Sequence, residues 1–144
     1  MKKLIVLITF TLLSLSCSSD SVRYKNPFIP DYAFSITIDA NLPSYSKLLS
    51  AVNPLYIFDG TSGANGIIVM KISDTDYRAW EANCPNQYIS ACSRMLINGL
   101  NAKCPCDDIE YNLFNGVGLN GEGEYTMKPY RVDILAKNVI RVSN

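Results

Sequence analysis

The sequence predicts an all-β domain, a small sandwich or barrel of short antiparallel strands. Three observations predict it. Apolar and polar residues alternate with a period of two in two separate segments. Short β-branched runs are bounded by Asp-Gly and Asn-Gly turn signals. No amphipathic helix longer than two turns can be traced.

The chain opens on a segment that does not belong to this domain. Lys2 and Lys3 give a positive start, and residues 4–15 are apolar apart from Thr9, Thr11 and Ser14. As a helix, twelve residues cover about 18 Å, well short of a hydrocarbon core of about 30 Å. Residues 1–16 are therefore expected to be a signal peptide rather than a membrane span. It ends at Ser14-Leu15-Ser16-Cys17, with leucine two residues before the cysteine where a lipobox usually has it three before. The small polar run Ser18-Ser19-Asp20-Ser21 suits a tether. Cys17 is thus the expected lipidation site, with a plain secretory signal as the competing reading. Two or more acyl chains on one cysteine anchor stably, where a single chain does not. The expected location is the membrane of a bacterial cell envelope, periplasmic or outer, with residues 17–31 as a lipid-anchored linker.

The domain is expected over residues 32–144. Residues 22–30 hold Asn26-Pro27 and Pro30 and have no periodicity, so they read as linker. Phe34, Ile36 and Ile38 alternate with Ser35, Thr37 and Asp39, a half-buried strand. Residues 47–52 are the best candidate for a short helix. Residues 55–58 form an apolar run ending at Asp59-Gly60. Asn65-Gly66 leads into Ile67-Ile68-Val69-Met70, a buried strand, and residues 77–80 form the next after an Asp-rich turn. Tyr130, Val132 and Ile134 alternate with Arg131 and Asp133, and Ala136-Lys137-Asn138 turns into a last strand over 139–142. Residues 83–123 differ. They are rich in Asn, Gly, Cys and Pro and poor in strand pattern, and a loop region of that length in a small domain is usually functional or stapled.

Charge and composition exclude several functions. The chain has 13 basic and 13 acidic side chains, and loss of Lys2 and Lys3 leaves it slightly acidic. A nucleic-acid partner, which needs a clustered basic surface, is not expected. There is no histidine. That removes Ser-His-Asp triads, Cys-His dyads, histidine metal sites and histidine acid–base chemistry. No Gly-x-Ser-x-Gly elbow is present either, so an enzyme working through its own side chains is not expected. Trp80 reads as core, Tyr88 as a candidate surface contact, and Glu122 and Glu124 as solvated groups. Asp107-Asp108 beside Asn86 is a candidate for a weak Ca²⁺ site, though such an acidic turn is more often only a turn.

With Cys17 committed to lipid, Cys84, Cys92, Cys104 and Cys106 remain, clustered within 23 residues. In an oxidising compartment an even number of clustered cysteines implies disulfides. A bridge between Cys104 and Cys106 would close a strained ring, which leaves two cross-loop pairings open. Ligation of a cluster or of zinc by four thiolates, or a redox-active pair, are the other readings.

This region resembles the Rieske iron–sulfur domain. The resemblance rests on Cys84-Pro85-Asn86, Cys104-Pro105-Cys106-Asp107, Tyr111-Asn112-Leu113, Asn115-Gly116 and Tyr130-Arg131-Val132, and extends over roughly residues 42–142. The family's first loop carries Cys-x-His and its second Cys-Pro-Cys-His-Gly. The fold it implies is a small antiparallel β-sandwich with a loop-rich, cysteine-containing subdomain. Family loops each supply one cysteine and one histidine to a [2Fe–2S] cluster. Cys84 and Cys104 match the ligand cysteines. Asn86 and Asp107 stand where the histidines should be, and Asp108 replaces the glycine after the second. The resemblance also implies a Cys92–Cys106 clamp between the loops. The preferred expectation is that the fold persists without its cluster, no cofactor or metal is held, and a second bridge, Cys84–Cys104, joins the vacated ligand positions. The alternative is a [2Fe–2S] electron carrier with unorthodox ligation through Cys84, Cys104 and Asp107. The function expected is a non-catalytic binding or structural module, anchored through Cys17 and contacting an unidentified envelope protein.

Overall fold

The computed structural model describes residues 25–144. The signal segment, Cys17 and the start of the tether lie outside the described residues. No helix among the described residues is long and apolar enough to cross a membrane.

Nine strands form three antiparallel sheets of three. β1 (Ser35–Asp39), β9 (Val139–Ser143) and β8 (Arg131–Ala136) make the first, in the order β1-β9-β8. β2 (Leu55–Ile57), β3 (Ile67–Ser73) and β4 (Asp76–Glu81) make the second, with β3 central. β5 (Leu96–Asn98), β6 (Asn101–Lys103) and β7 (Glu110–Asn112) make the third. The all-β class and the small-sandwich architecture hold.

β3 organises the packing because both its faces are covered. Successive side chains of a strand point to opposite faces. Ile67 and Val69 enter one cluster with Ile38, Leu48, Ile57, Ile140 and Val142, between the first two sheets. Ile68 and Met70 enter the other, with Trp80, Met95, Leu113 and Met127, beneath the third sheet and beside Cys84 and Cys104 of the loops. A continuous β-branched run is what such a strand requires. Trp80 is core, and its indole N–H donates to the Leu113 carbonyl at 2.9 Å. Gly116 is held against that indole: its φ is +73°, and a Cβ there would lie 2.7 Å from the ring.

One local expectation is corrected, and two segments gain detail. The short helix is a 3-10 turn over Pro43–Leu49, upstream of 47–52, because Pro43 presets its first turn and Val52 takes a positive φ of 60° that no right-handed helix admits. The region 83–123, poor in strand pattern, contains β5, β6 and β7, three residues each and too short to show a period. The described part of the expected linker touches the domain. Asn26 donates to the Pro85 carbonyl at 2.7 Å, Phe28 packs edge-on against Tyr88, and Ile29 is buried.

Glu81, at the end of β4, ties the sheets to the cysteine region. It is completely buried. Its carboxylate accepts hydrogen bonds from the backbone N–H groups of Ala64 (2.6 Å), Asn65 (3.0 Å) and Asn83 (2.8 Å), and from the Tyr130 hydroxyl (2.6 Å). One side chain thus fixes the β2–β3 loop, the entry to the first cysteine loop and the start of the β8 hairpin. Glu81→Leu leaves these buried donors without an acceptor, and each such orphan costs about 1–3 kcal/mol. A large fall in the urea midpoint is expected, with a smaller one for Glu81→Gln, which keeps one acceptor oxygen; equal midpoints for the two variants would contradict this role.

Candidate functional site: the bridged tip

The first cysteine loop leaves β4 and is built on side chain-to-backbone bonds. The Asn83 amide donates to the carbonyls of Cys84 (3.0 Å) and Gln87 (2.9 Å), and its oxygen accepts from the Ser93 hydroxyl at 2.7 Å. The Cys84 N–H donates to the Ser93 carbonyl at 2.7 Å, closing the loop on itself. The second loop joins β6 to β7. Cys104 donates its N–H to the Ile109 carbonyl and accepts from the Asp108 N–H, both at 2.9 Å, so Pro105, Cys106 and Asp107 form a tight projection. Asp108 takes a positive φ of 61° and pairs with Lys103 at 2.9 Å.

Two disulfides join the loops. Cys84 is bonded to Cys104, with Cα atoms 5.5 Å apart, and Cys92 to Cys106, with Cα atoms 5.2 Å apart. Their settings differ. Cys84 and Cys104 are completely buried, packed with Met95, Ala102, Tyr111, Leu113 and Met127. Cys92 is exposed and Cys106 half-buried. The Ser90 hydroxyl lies 3.5 Å from the Cys92 sulfur and 3.7 Å from that of Cys106.

Asn86 and Asp107 serve as structural ties. Asn86 donates to the Tyr111 hydroxyl (2.7 Å) and the Tyr125 carbonyl (3.1 Å), and accepts from the Tyr125 N–H at 2.9 Å. The amide thus pairs with the backbone of the strap that follows Gly121. Gly123 makes room for it: at a φ of +83°, a Cβ there would lie 2.8 Å from the Asn86 nitrogen. Asp107 accepts from the Gln87 amide (3.0 Å) and the Ile109 N–H (3.1 Å), linking the second loop to the first.

These residues do not suit the [2Fe–2S] cluster that the resemblance implies. Such a cluster takes two thiolates and two imidazoles. Here the two matching sulfurs are bonded to each other, the chain has no histidine, and the amide and carboxylate at the remaining positions hold other partners. The alternative ligand set of Cys84, Cys104 and Asp107 is not brought together either. Among the described residues, the sole group of three potential ligands lying within 4.8 Å is Cys84, Cys104 and Cys106. Asp107 is outside it because Gln87 and Ile109 draw its oxygens away. Nor are Asn86, Asp107 and Asp108 gathered as a Ca²⁺ site, since each faces a different partner.

Sequence reasoning missed Gln87, Ser90, Ser93 and Tyr125, and named Tyr111 only as part of the resemblance. The Asn-Ser richness of the first loop was the available signal, since such side chains cap and brace loop backbone. Tyr88, the candidate surface contact, is 67% exposed, and Glu122 and Glu124 are exposed too.

No protein-family model and no curated protein matches the sequence. Solved structures do. A chain of the complex of reduced oxygenase and oxidized ferredoxin in carbazole 1,9a-dioxygenase is 16% identical, with a TM-score of 0.50 over 76% of this chain and 92% of that one. The ferredoxin of carbazole 1,9a-dioxygenase from Nocardioides aromaticivorans IC177 is 14% identical, with a TM-score of 0.46 over 78% and 97%. At such identity the first likeness speaks to the fold alone. The fold is Rieske-like, a β-sandwich carrying a cysteine-bearing subdomain. In this chain two disulfides join the loops of that subdomain.

Asn86→Asp keeps the acceptor for the Tyr125 N–H but loses both donors and sets a carboxylate against a carbonyl. A loss of about 1–3 kcal/mol is expected in chemical unfolding. No loss would show that the strap does not depend on the amide.

Proposed function

We propose that this protein is a lipid-anchored, envelope-located Rieske-like domain that has given up its iron–sulfur cluster and acts as a non-catalytic binding or structural module. The observation that carries the reading is the commitment of all four ligand-equivalent side chains: Cys84 to Cys104, Asn86 to Tyr125 and Tyr111, and Asp107 to Gln87. Two bridges closing loops of this length contribute about 2–4 kcal/mol each, less in combination because the loops overlap, and so brace what a cluster would otherwise hold. Lipid on Cys17 anchors the module to the membrane, with residues 17–31 leading to the domain.

A binding role is supported by the surface of the third sheet. All three residues of its edge strand β5 are exposed, and Leu96, Ile97 and Leu100 present apolar side chains to solvent. Tyr88 and Ile89 on the first loop are exposed as well. The partner is an envelope protein, and nucleic acid is not among the candidates.

Protein extracted from membranes and purified anaerobically is expected to be colourless, with neither iron nor acid-labile sulfide. Stoichiometric iron and sulfide with visible absorbance would replace this reading with electron transfer. Cys17→Ser is expected to move the protein from the membrane to the soluble fraction; unchanged membrane association would refute the lipid anchor.

A further inference from the structure

The two disulfides of the tip are not independent. The Cys106 sulfur, which belongs to the outer bridge, lies within 4.8 Å of both sulfurs of the inner one. Cys92 stands outside that group. Exposure falls steadily along the same line, from exposed Cys92 through half-buried Cys106 to buried Cys84 and Cys104.

We propose that the tip carries out thiol–disulfide exchange with small monothiols, entering at Cys92 and passing through Cys106 to the inner bridge. This rests on the reading that the loops hold disulfides and no cluster. In the first step the thiolate of the incoming monothiol attacks the exposed Cys92 sulfur. A mixed disulfide forms at Cys92, the Cys92–Cys106 bond breaks, and Cys106 leaves with the electron pair as a thiolate. The Ser90 hydroxyl, 3.7 Å from that sulfur, can donate to the charge as it develops. In the second step the Cys106 thiolate attacks Cys84. A Cys84–Cys106 bond forms, the Cys84–Cys104 bond breaks, and Cys104 leaves as a thiolate that takes a proton from water. Attack on Cys104 is disfavoured because it would close a ring across Pro105 alone. A second monothiol then resolves the mixed disulfide at Cys92. Overall, two monothiols are oxidised to one external disulfide, and one protein bridge is reduced to the Cys92 and Cys104 thiols.

The exchange has a mechanical consequence. Cys84 is in the first loop and Cys106 in the second, so the new bridge still clamps the two together. A reductive hit on the exposed bridge therefore leaves the tip closed.

The test uses Cys92→Ser, which leaves Cys106 unpaired as reduction would, and Cys106→Ser, which leaves Cys92 unpaired. Each full-length variant is quenched in mild acid, unfolded and alkylated there with a maleimide, and label and crosslinks are located by fragmentation mass spectrometry. In Cys92→Ser, label on Cys104 together with a Cys84–Cys106 crosslink is expected, with the Cys104 label exceeding that in Cys106→Ser by about tenfold or more. In Cys106→Ser, label stays on Cys92 and the Cys84–Cys104 bridge stays intact. Label confined to Cys106 in the first variant, or equal scrambling in both, would overturn the proposal. Should Cys92→Ser fail to fold, limiting glutathione on the wild-type protein followed by acid quenching reads the same step: glutathione on Cys92 with the free thiol on Cys104 supports exchange, and the free thiol on Cys106 overturns it. Either negative result ends the exchange while leaving the cluster-free reading standing; iron and sulfide in the purified protein would end both.

Discussion

The inner bridge between Cys84 and Cys104 is the constraint on which the tip depends. It is a covalent bond set in an apolar cluster, so the two loops meet at a completely buried point. Closing that loop removes conformational freedom from the unfolded chain, the main stabilising effect ascribed to a disulfide. It also bears on the chemistry, because a thiol bonded to its neighbour cannot at the same time be a thiolate ligand.

The rest of the molecule carries that bond to its place. β3 presents one row of side chains to the sandwich core and the other to the cluster around the inner bridge, so a single strand couples the two. Glu81 performs the polar counterpart, gathering three backbone N–H groups and a phenol around one buried carboxylate at the mouth of the first loop. From there Asn83 and Ser93 brace the loop backbone, Gln87 reaches Asp107 in the second loop, and Asn86 holds the strap through Tyr125. The positions that the resemblance aligns with cluster ligands thus act as joints between the loops.

Much of the framework was legible in the sequence, and the failures have physical reasons. Strands with one buried face declare themselves by alternation, as Ile36 and Ile38 do in β1, and a strand buried on both faces by its β-branched run, as in β3. The hairpin of β8 and β9 was marked by Lys137-Asn138, where Asn138 takes the positive φ that such a turn needs. By contrast β5, β6 and β7 each span three residues, and their stability comes from pairing and from the bridges beside them rather than from pattern. That disulfides join the loops was legible from four clustered cysteines read beside the family resemblance. The work done by Asn86 was not, because its partner Tyr125 lies 39 residues away and no local rule connects an amide to a distant backbone. The docking of Asn26 on Pro85 escaped for the same reason.

The central claim, that sulfur–sulfur bonds hold the tip, is tested most directly by intact mass before and after reduction of protein prepared under alkylating, non-reducing conditions. The account predicts no alkylation before reduction and, after it, a mass gain of two hydrogens for each of the two bridges, with four thiols then open to label. Alkylation of Cys84 and Cys104 without prior reduction would contradict it.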